Sequence, residues 1–291
     1  MNKVSNKKLQ YRRYTRSSWG NFFYFFFLTF AGLFSVLPII YTVCTSLKPL
    51  EEILIFPPRF FVTRPTIENY AALPKLLSNL RVPLSKYIFN SIFVTIITTL
   101  LHVWIASMTA FVLSKLKFKG CKTIFVFVQF ALLYNSYTLA IPQYVIFSKF
   151  QIIDTYWVYI LPYLPATLGV FLMKQFIDSS VPEALLEAAR IDGAGFFRMY
   201  WQVALPIIKP AWLTLTLFAF RDMWSMQPSG TIFSEQLKTL PTVLSTISAG
   251  GIARSGSAMA ATVILLIPPV AVYMITQSSV METMGTAGIK G

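Results

Sequence analysis

Residues able to do chemistry are sparse in this sequence, and they form no catalytic set. The only histidine, His102, sits inside a long apolar run and has no Cys or His companion at metal-ligand spacing, so it is expected to bond a neighbouring helix rather than a metal. Gly120-Cys121-Lys122-Thr123 ends like a phosphate loop but lacks the upstream glycine of G-x-x-x-x-G-K-[ST], so it cannot wrap phosphates. No Ser/His/Asp set and no paired-carboxylate site is apparent. Arg221-Asp222 is the one clear charge pair inside an otherwise apolar stretch. Ion-coupled carriers place ionisable groups at mid-membrane. With this one pair to offer, uphill movement of a solute must draw its energy from outside the chain.

The elements that position these residues are set by a membrane. The 291 residues are 55% hydrophobic and 12% charged, with mean hydropathy +0.61, against about 25% charged in soluble domains. Uncharged runs cover 17–47, 87–114, 123–148, 155–173 and 255–281, each long enough for the ~17–25 residues of a transmembrane helix. A sixth crossing, from Leu205 to about Pro228, carries Lys209, Arg221 and Asp222. Six helices keep the basic segments on one side; an odd number would not. The expectation is an all-α membrane protein with six transmembrane helices, since backbone in lipid must bond to itself.

Lys and Arg set the orientation. Lys3, Lys7, Lys8, Arg12, Arg13 and Arg16 fill the first 20 residues, and Lys115, Lys117, Lys119 and Lys122 fill 114–122, neither stretch with an acid. Both are expected in the cytoplasm, together with the 174–209 loop and both termini. The chain then divides into a basic N-terminus (1–20), a first transmembrane helix (21–46), an extracytoplasmic cap (47–86), a five-helix core (87–281) and a cytoplasmic tail (282–291). The first run is too long for a signal peptide and lacks a small-residue cleavage site. Cys44 and Cys121 fall at opposite ends of the membrane and cannot pair. The net charge of +14 is mainly a topology signal, because no soluble domain offers nucleic acid a basic face.

The cytoplasmic loop 178–210 reads as folded structure. Ser180 and Glu183 have capping-box spacing with Pro182 in the first turn, ahead of an Ala/Leu-rich helix over 181–191 that stops at Gly193. Asp192 would oppose the dipole at that helix end, so it is expected to cap a second piece starting near Gly195. A bare amphipathic helix resting on the bilayer would not explain the small-residue Asp-Gly-Ala corner.

Glu187-Ala188-Ala189-Arg190-Ile191-Asp192-Gly193-Ala194, then Val203-Ala204-Leu205-Pro206 and Pro210, resembles the E-A-A-x-x-D-G-A … I-x-L-P loop of binding-protein-dependent ABC import permeases, with Val203 in place of Ile. The likeness extends over nearly the whole chain to the smaller permease of maltose-type carbohydrate importers. It runs through Ser46-Leu47-Lys48, Pro65-Thr66-Ile67-Glu68-Asn69-Tyr70, Ile141-Pro142-Gln143-Tyr144 and Thr286-Ala287-Gly288-Ile289-Lys290-Gly291. Met223-Trp224-Ser225 departs from the Trp-Asn of many relatives. The resemblance implies a type I ABC importer permease fold in which the loop is a coupling helix seated in an ATPase groove. Glu187 and Asp192 would anchor and cap it, Ala188, Ala189, Gly193 and Ala194 would permit close docking, and Leu205-Pro206 would complete the motif. It implies as partners a second, different permease, two copies of a cytoplasmic ATPase that bind the ATP and magnesium, and an extracytoplasmic solute-binding protein. No cofactor is expected in this chain. Aromatic and neutral polar side chains that could meet a sugar are Tyr134, Asn135, Tyr137, Gln143 and Trp224, with Arg221 and Asp222 beside the cavity; ordinary helix packing accounts for each equally well. A permease of the same architecture for a phosphate, an amino acid or an osmolyte would share the loop, and a secondary carrier would need no ATPase.

Overall fold

The structure, a computed structural model, describes residues 18–78, 82–116, 118–134, 136–228 and 230–288. The basic residues of 1–17, Lys117, Asn135 and Ile289-Lys290-Gly291 lie outside the described residues. Among the described residues every regular element is helical. In chain order these are α1 (Ser18–Ser46), α2 (Leu50–Ile53), α3 (Glu68–Ser78), α4 (Leu84–Lys115), α5 (Cys121–Ala131), α6 (Ser136–Lys149), α7 (Trp157–Ile160) and α8 (Thr167–Ser180). There follow α9 (Glu183–Ile191), α10 (Phe196–Arg198), α11 (Leu205–Ile207), α12 (Lys209–Trp224), α13 (Leu240–Ser248) and α14 (Ser255–Gly288).

Three helices, α1, α4 and α14, are individually long and apolar enough to cross a membrane; two more crossings result if α7 through Tyr163 with α8, and Phe196–Ile207 with α12, are each one bent span. The bends are 41° and 83°, and proline explains both. Pro165 precedes Ala166, which adopts φ +50° as the N-cap of α8. Pro210 has no N–H to donate back toward Pro206, so the helix turns at Ile208. The apolar stretch expected to cross from Leu205 therefore starts its straight helix at Lys209.

Three expectations change. The run 123–148 is two helices, α5 and α6; the first ends in tightened turns, with Leu133 N–H on Phe130 O and Tyr134 N–H on Ala131 O. At 11 and 14 residues each is shorter than the ~17 a crossing needs. The helix preceding the loop runs on to Ser180, past the expected edge at 174. Lys174 and Asp178 do not stop it because they pair at i,i+4, 2.6 Å apart. Ser180 is thus the last residue of α8 and no N-cap: α9 starts at Glu183, two residues later than expected, with Pro182 at the cap position and no side-chain capping bond.

α4 is the hub, flanked by α8 and α12, with α14 on the far side of α12 and α1 along α14. Close approach of α8 to α4 depends on Gly169, where a Cβ would lie 2.9 Å from Ala106 Cβ and 3.2 Å from Leu215 Cδ2. Small residues let membrane helices pack on dispersion alone. Around them Phe111, Val170, Met173, Ile177, Tyr200, Ile208 and Leu215 form the main buried cluster. At the other end, Leu73, Tyr87, Leu240, Val243, Leu244 and Ala260 join α3 and α13 to the starts of α4 and α14.

Candidate functional site

The end of the bundle where α4 and α8 finish carries the structured loop. Its corner is a Schellman turn: Gly193 N–H donates to Arg190 O at 3.0 Å and Ala194 N–H to Ala189 O at 2.9 Å, with Gly193 at φ +79°. Asp192 is the C-cap of α9, its N–H on Ala188 O at 3.0 Å, and the next piece is capped by Gly195 with no side-chain bond. The expected Asp192 cap on that piece is therefore absent. The glycine turn satisfies the helix end through its backbone, leaving the carboxylate exposed.

From Gly195 the chain forms α10, a π-helical turn over Met199–Ala204, and α11. Met199, Tyr200, Ala204 and Ile208 are buried in the main cluster. Tyr200 OH lies 2.7 Å from Ser107 Oγ of α4, fully buried, and its ring rests 5.6 Å from that of Phe111. Lys115 Nζ, in the last turn of α4, donates to Val181 O at 2.7 Å. The loop is thereby tied to α4 at two points. A hollow of about 350 Å³ separates α9 from the end of α4, lined by Glu183, Leu186, Glu187, Arg190, Lys115 and Phe196 among others, with the Arg190 guanidinium 5.5 Å from the Phe196 ring.

α9 is apolar on two sides. Leu186 and Ala189 are half-buried against the bundle together with Ala194. Leu185, Ala188 and Ile191, spaced i, i+3, i+6, face away, and Ile191 is 87% exposed. Of the residues singled out from sequence, Glu187, Ala188, Asp192 and Gly193 are exposed; Ala189 and Ala194 form the inner edge. Leu205 is half-buried and Pro206 exposed in α11. Leu185 and Ile191 were missed. Their signal was an apolar i, i+3, i+6 row, readable only once the opposite row is known to face the bundle.

The pathway candidates do not gather in one cavity. Gln143 lines a hollow of about 270 Å³ with Pro142, Phe147 and Leu161. Arg221 and Trp224 line a separate groove of about 230 Å³ between α12, α13 and α14. Trp224 is buried there, its indole N–H donating to Leu265 O at 2.9 Å. Arg221 Nη2 lies 3.1 Å from Asp222 Oδ1 with the guanidinium side chain 67% exposed, and Tyr163 OH donates to Asp222 Oδ2 at 3.3 Å. Tyr134 is exposed and Tyr137 belongs to the first turn of α6. His102 Nδ1 lies 2.8 Å from Tyr163 O, the helix-to-helix contact expected of it. Among the described residues no group of three His, Cys, Asp or Glu side chains could hold a metal ion.

An all-helical bundle with membrane-length helices and a helix–turn element tied to one end is the architecture of an integral membrane protein, and the family it matches makes it a transport subunit rather than an enzyme. The family described as the binding-protein-dependent transport system inner membrane component matches residues 102–280, more than half the chain, and this protein belongs to it. The putative ABC transporter permease protein ORF2 of Caldicellulosiruptor sp. (strain Rt8B.4) is 27% identical over 92% of this chain and 96% of its own length. The arabinooligosaccharides transport system permease protein AraQ of Bacillus subtilis (strain 168) is 26% identical over 71% of this chain and 74% of its own. A subunit of a bacterial ABC transporter that imports the acidic polysaccharide alginate shares the fold, with TM-score 0.70 and 20% identity over 90% of this chain and 98% of that one.

Proposed function

We propose that this chain forms, with a second and different permease, the passage through which a carbohydrate crosses the cytoplasmic membrane, driven by two copies of a cytoplasmic ATPase, one docked on the 183–198 element of this chain and the other on its counterpart in the partner. An extracytoplasmic solute-binding protein would deliver the sugar, and the ATP and magnesium would reside in the ATPases. The observation that carries the coupling role is the doubly apolar α9. Its inner row is held by the bundle, and its outer row of Leu185, Ala188 and Ile191 ends at a corner narrow enough for another protein to approach. The carbohydrate rests on the arabinooligosaccharides transport system of AraQ and on the alginate importer.

The topology of this proposal has six crossings: α1, α4, α5 with α6, α7 with α8, α12, and α14. Both termini are cytoplasmic and 47–86 is an extracytoplasmic cap. It is supported by Lys115, Lys119 and Lys122 falling at the same end of the bundle as α9. Glu187, Ala188, Asp192 and Gly193 would meet the ATPase, with Ala189, Ala194, Leu205 and Pro206 supporting them from behind. Arg221, with Gln143 at a second station, is the group best placed to meet the solute.

The test is co-expression with the cognate ATPase, partner permease and binding protein, followed by uptake of labelled oligosaccharide and ATP hydrolysis in proteoliposomes. Glu187→Lys is expected to insert normally yet abolish both. Unchanged uptake in that variant would refute the coupling role. Saturation of the binding protein by a non-sugar solute would refute the carbohydrate while leaving the permease intact.

A further inference from the structure

Residues 54–61, Leu-Ile-Phe-Pro-Pro-Arg-Phe-Phe, join α2 to the approach of α3 and expose an unusual amount of apolar surface outside any span. Leu54, Phe56 and Phe61 are 59%, 93% and 69% exposed. A patch of this kind marks an interaction surface. The loop is nevertheless held firmly at its base. Buried Glu52 accepts the N–H groups of Thr63 at 2.9 Å and Arg64 at 3.4 Å. Buried Lys48 donates to Arg59 O, and Thr66 N–H donates to Leu47 O at 2.8 Å. The loop is thereby pinned to the end of α1 through Leu47 and Lys48 and to α2 through Glu52, which fixes where its tip can lie.

The tip folds back alongside α1. Phe60 packs on Tyr41 with ring centroids 5.5 Å apart, and Lys48 Nζ sits 5.5 Å from the same ring. Tyr41 lies five residues before the end of α1, about 7.5 Å along the axis at ~1.5 Å per residue. The 29 residues of α1 make a helix of about 43 Å, some 13 Å longer than the ~30 Å hydrocarbon layer. Shared between the two ends, that excess puts the hydrocarbon boundary about 6–7 Å inside Ser46, level with Tyr41. The most apolar window of α1 has none of its residues buried by the rest of the chain.

We propose that residues 54–61 are an interfacial foot, with Phe56 and Phe61 seated in the headgroup–acyl boundary of the leaflet around that end of α1. The occupant is lipid because the patch is continuous, through Phe60 and Tyr41, with the surface of a membrane-length helix. The exposed Arg59 and Arg64 flank the rings as cations flank interfacial aromatics. The foot would fix the depth of α1, and it does not depend on which solute the protein carries.

A spin label placed by F56C, in a background with Cys44→Ala and Cys121→Ser, tests this with the full chain and its partner subunits in nanodiscs of phosphatidylethanolamine and phosphatidylglycerol. Phe56 is almost fully exposed, so its replacement removes little packing, and F61C gives a second reading should F56C fail to assemble. Oxygen collisions with either label are expected to exceed those of a water-soluble nickel chelate several-fold, with the ratio reversed for a control label at the exposed Glu51. Chelate collisions as frequent at 56 and 61 as at 51 would overturn the proposal. So would exclusion of both reagents, which would mean that protein covers the patch; if that exclusion arises only when the binding protein is added, the patch is its docking site.

Discussion

Replacing Gly193 by residues of graded size separates two reasons for having glycine at the corner of the coupling element. One is conformational: at φ +79° an L-residue with a Cβ costs roughly 1–2 kcal/mol, and Asn tolerates this region better than Ala or Val. The other is steric, and within this chain it is absent, because a Cβ built at Gly193 meets nothing within 4 Å. Any penalty of size must therefore come from a partner. The backbone penalty is read directly at the Ala194 amide, which is bonded to Ala189 O at 2.9 Å in the native corner. A loss of 1–2 kcal/mol is a factor of about 5–30, so Ala194 exchange is expected to accelerate by that factor in G193A and G193V and by much less in G193N. ATP hydrolysis coupled to transport should order differently: G193N, with a well-formed corner but added bulk, is expected to lose coupling along with G193V. Wild-type coupling in G193N would show that the glycine serves the turn alone and would refute close docking at this corner. Unchanged Ala194 exchange in G193V would refute the strain argument itself.

Gly169→Leu should destabilise the protein by the ~1–3 kcal/mol typical of overpacking, seen as a lowered unfolding temperature in detergent, since even a Cβ would press on Ala106 and Leu215. Ser107→Ala leaves the buried Tyr200 hydroxyl unpaired and is expected to cost about 1–3 kcal/mol, more than Tyr200→Phe, after which Ser107 Oγ keeps its 3.1 Å bond to Trp104 O; the double variant should cost less than the sum of the two, and simple additivity would refute the pairing. Ile191→Asp and Leu185→Asp should leave thermal stability unchanged, because both face away from the bundle, while abolishing co-purification with the ATPase. Burial pushes the Glu52 carboxyl up, but the Thr63 and Arg64 donors and nearby Lys48 outweigh it and hold it below its ordinary 4.5. The carboxylate's stabilisation of the 54–63 loop is then fully present above pH 4.5 and lost only as pH falls through the lower folded value. Exchange of the Thr63 and Arg64 amides between pH 6 and pH 3 checks that direction.

Composition made the long spans legible, because lipid accepts or rejects a segment on its side chains, and 17–47, 87–114 and 255–281 each hold one long helix. Composition does not report the hydrogen-bond ladder. The break before Ser136 and the bend at Ala166 both lie inside uncharged text, and each depends on a few turn residues. Charge misled in the opposite sense at α8, where Lys174 and Asp178 looked like the start of a loop but neutralise each other on one helix face. At the loop itself the glycine stop was readable because only one residue type is at ease at that φ. The caps assigned to Ser180 and Asp192 were not, since spacing alone cannot say whether a side chain is already inside the preceding helix.

The polar residues of α4 explain how one helix can serve both ends of the molecule. Asn90 donates to Gln236 O and Lys238 O at 2.7 and 2.9 Å and accepts from Tyr156 OH at 2.8 Å. Ser91 Oγ accepts the Leu240 N–H at 2.7 Å. Together they fasten the start of α4 to the segment entering α13. His102 bonds Tyr163 O midway, and Ser107 and Lys115 hold the coupling element at the other end. From Asn90 to Ser107 is about 25 Å at ~1.5 Å per residue, with every backbone bond between them internal to the helix. A displacement of α9 that reaches Tyr200 through α10 must either break the buried Ser107–Tyr200 contact or carry α4 with it. Carrying α4 costs no hydrogen bond at that end, and it shifts the carbonyl anchors of Gln236 and Lys238 at the far side of the bundle. Asn90, Ser91 and Ser107 achieve this without charge, because each finds its partner inside the protein and asks nothing of lipid.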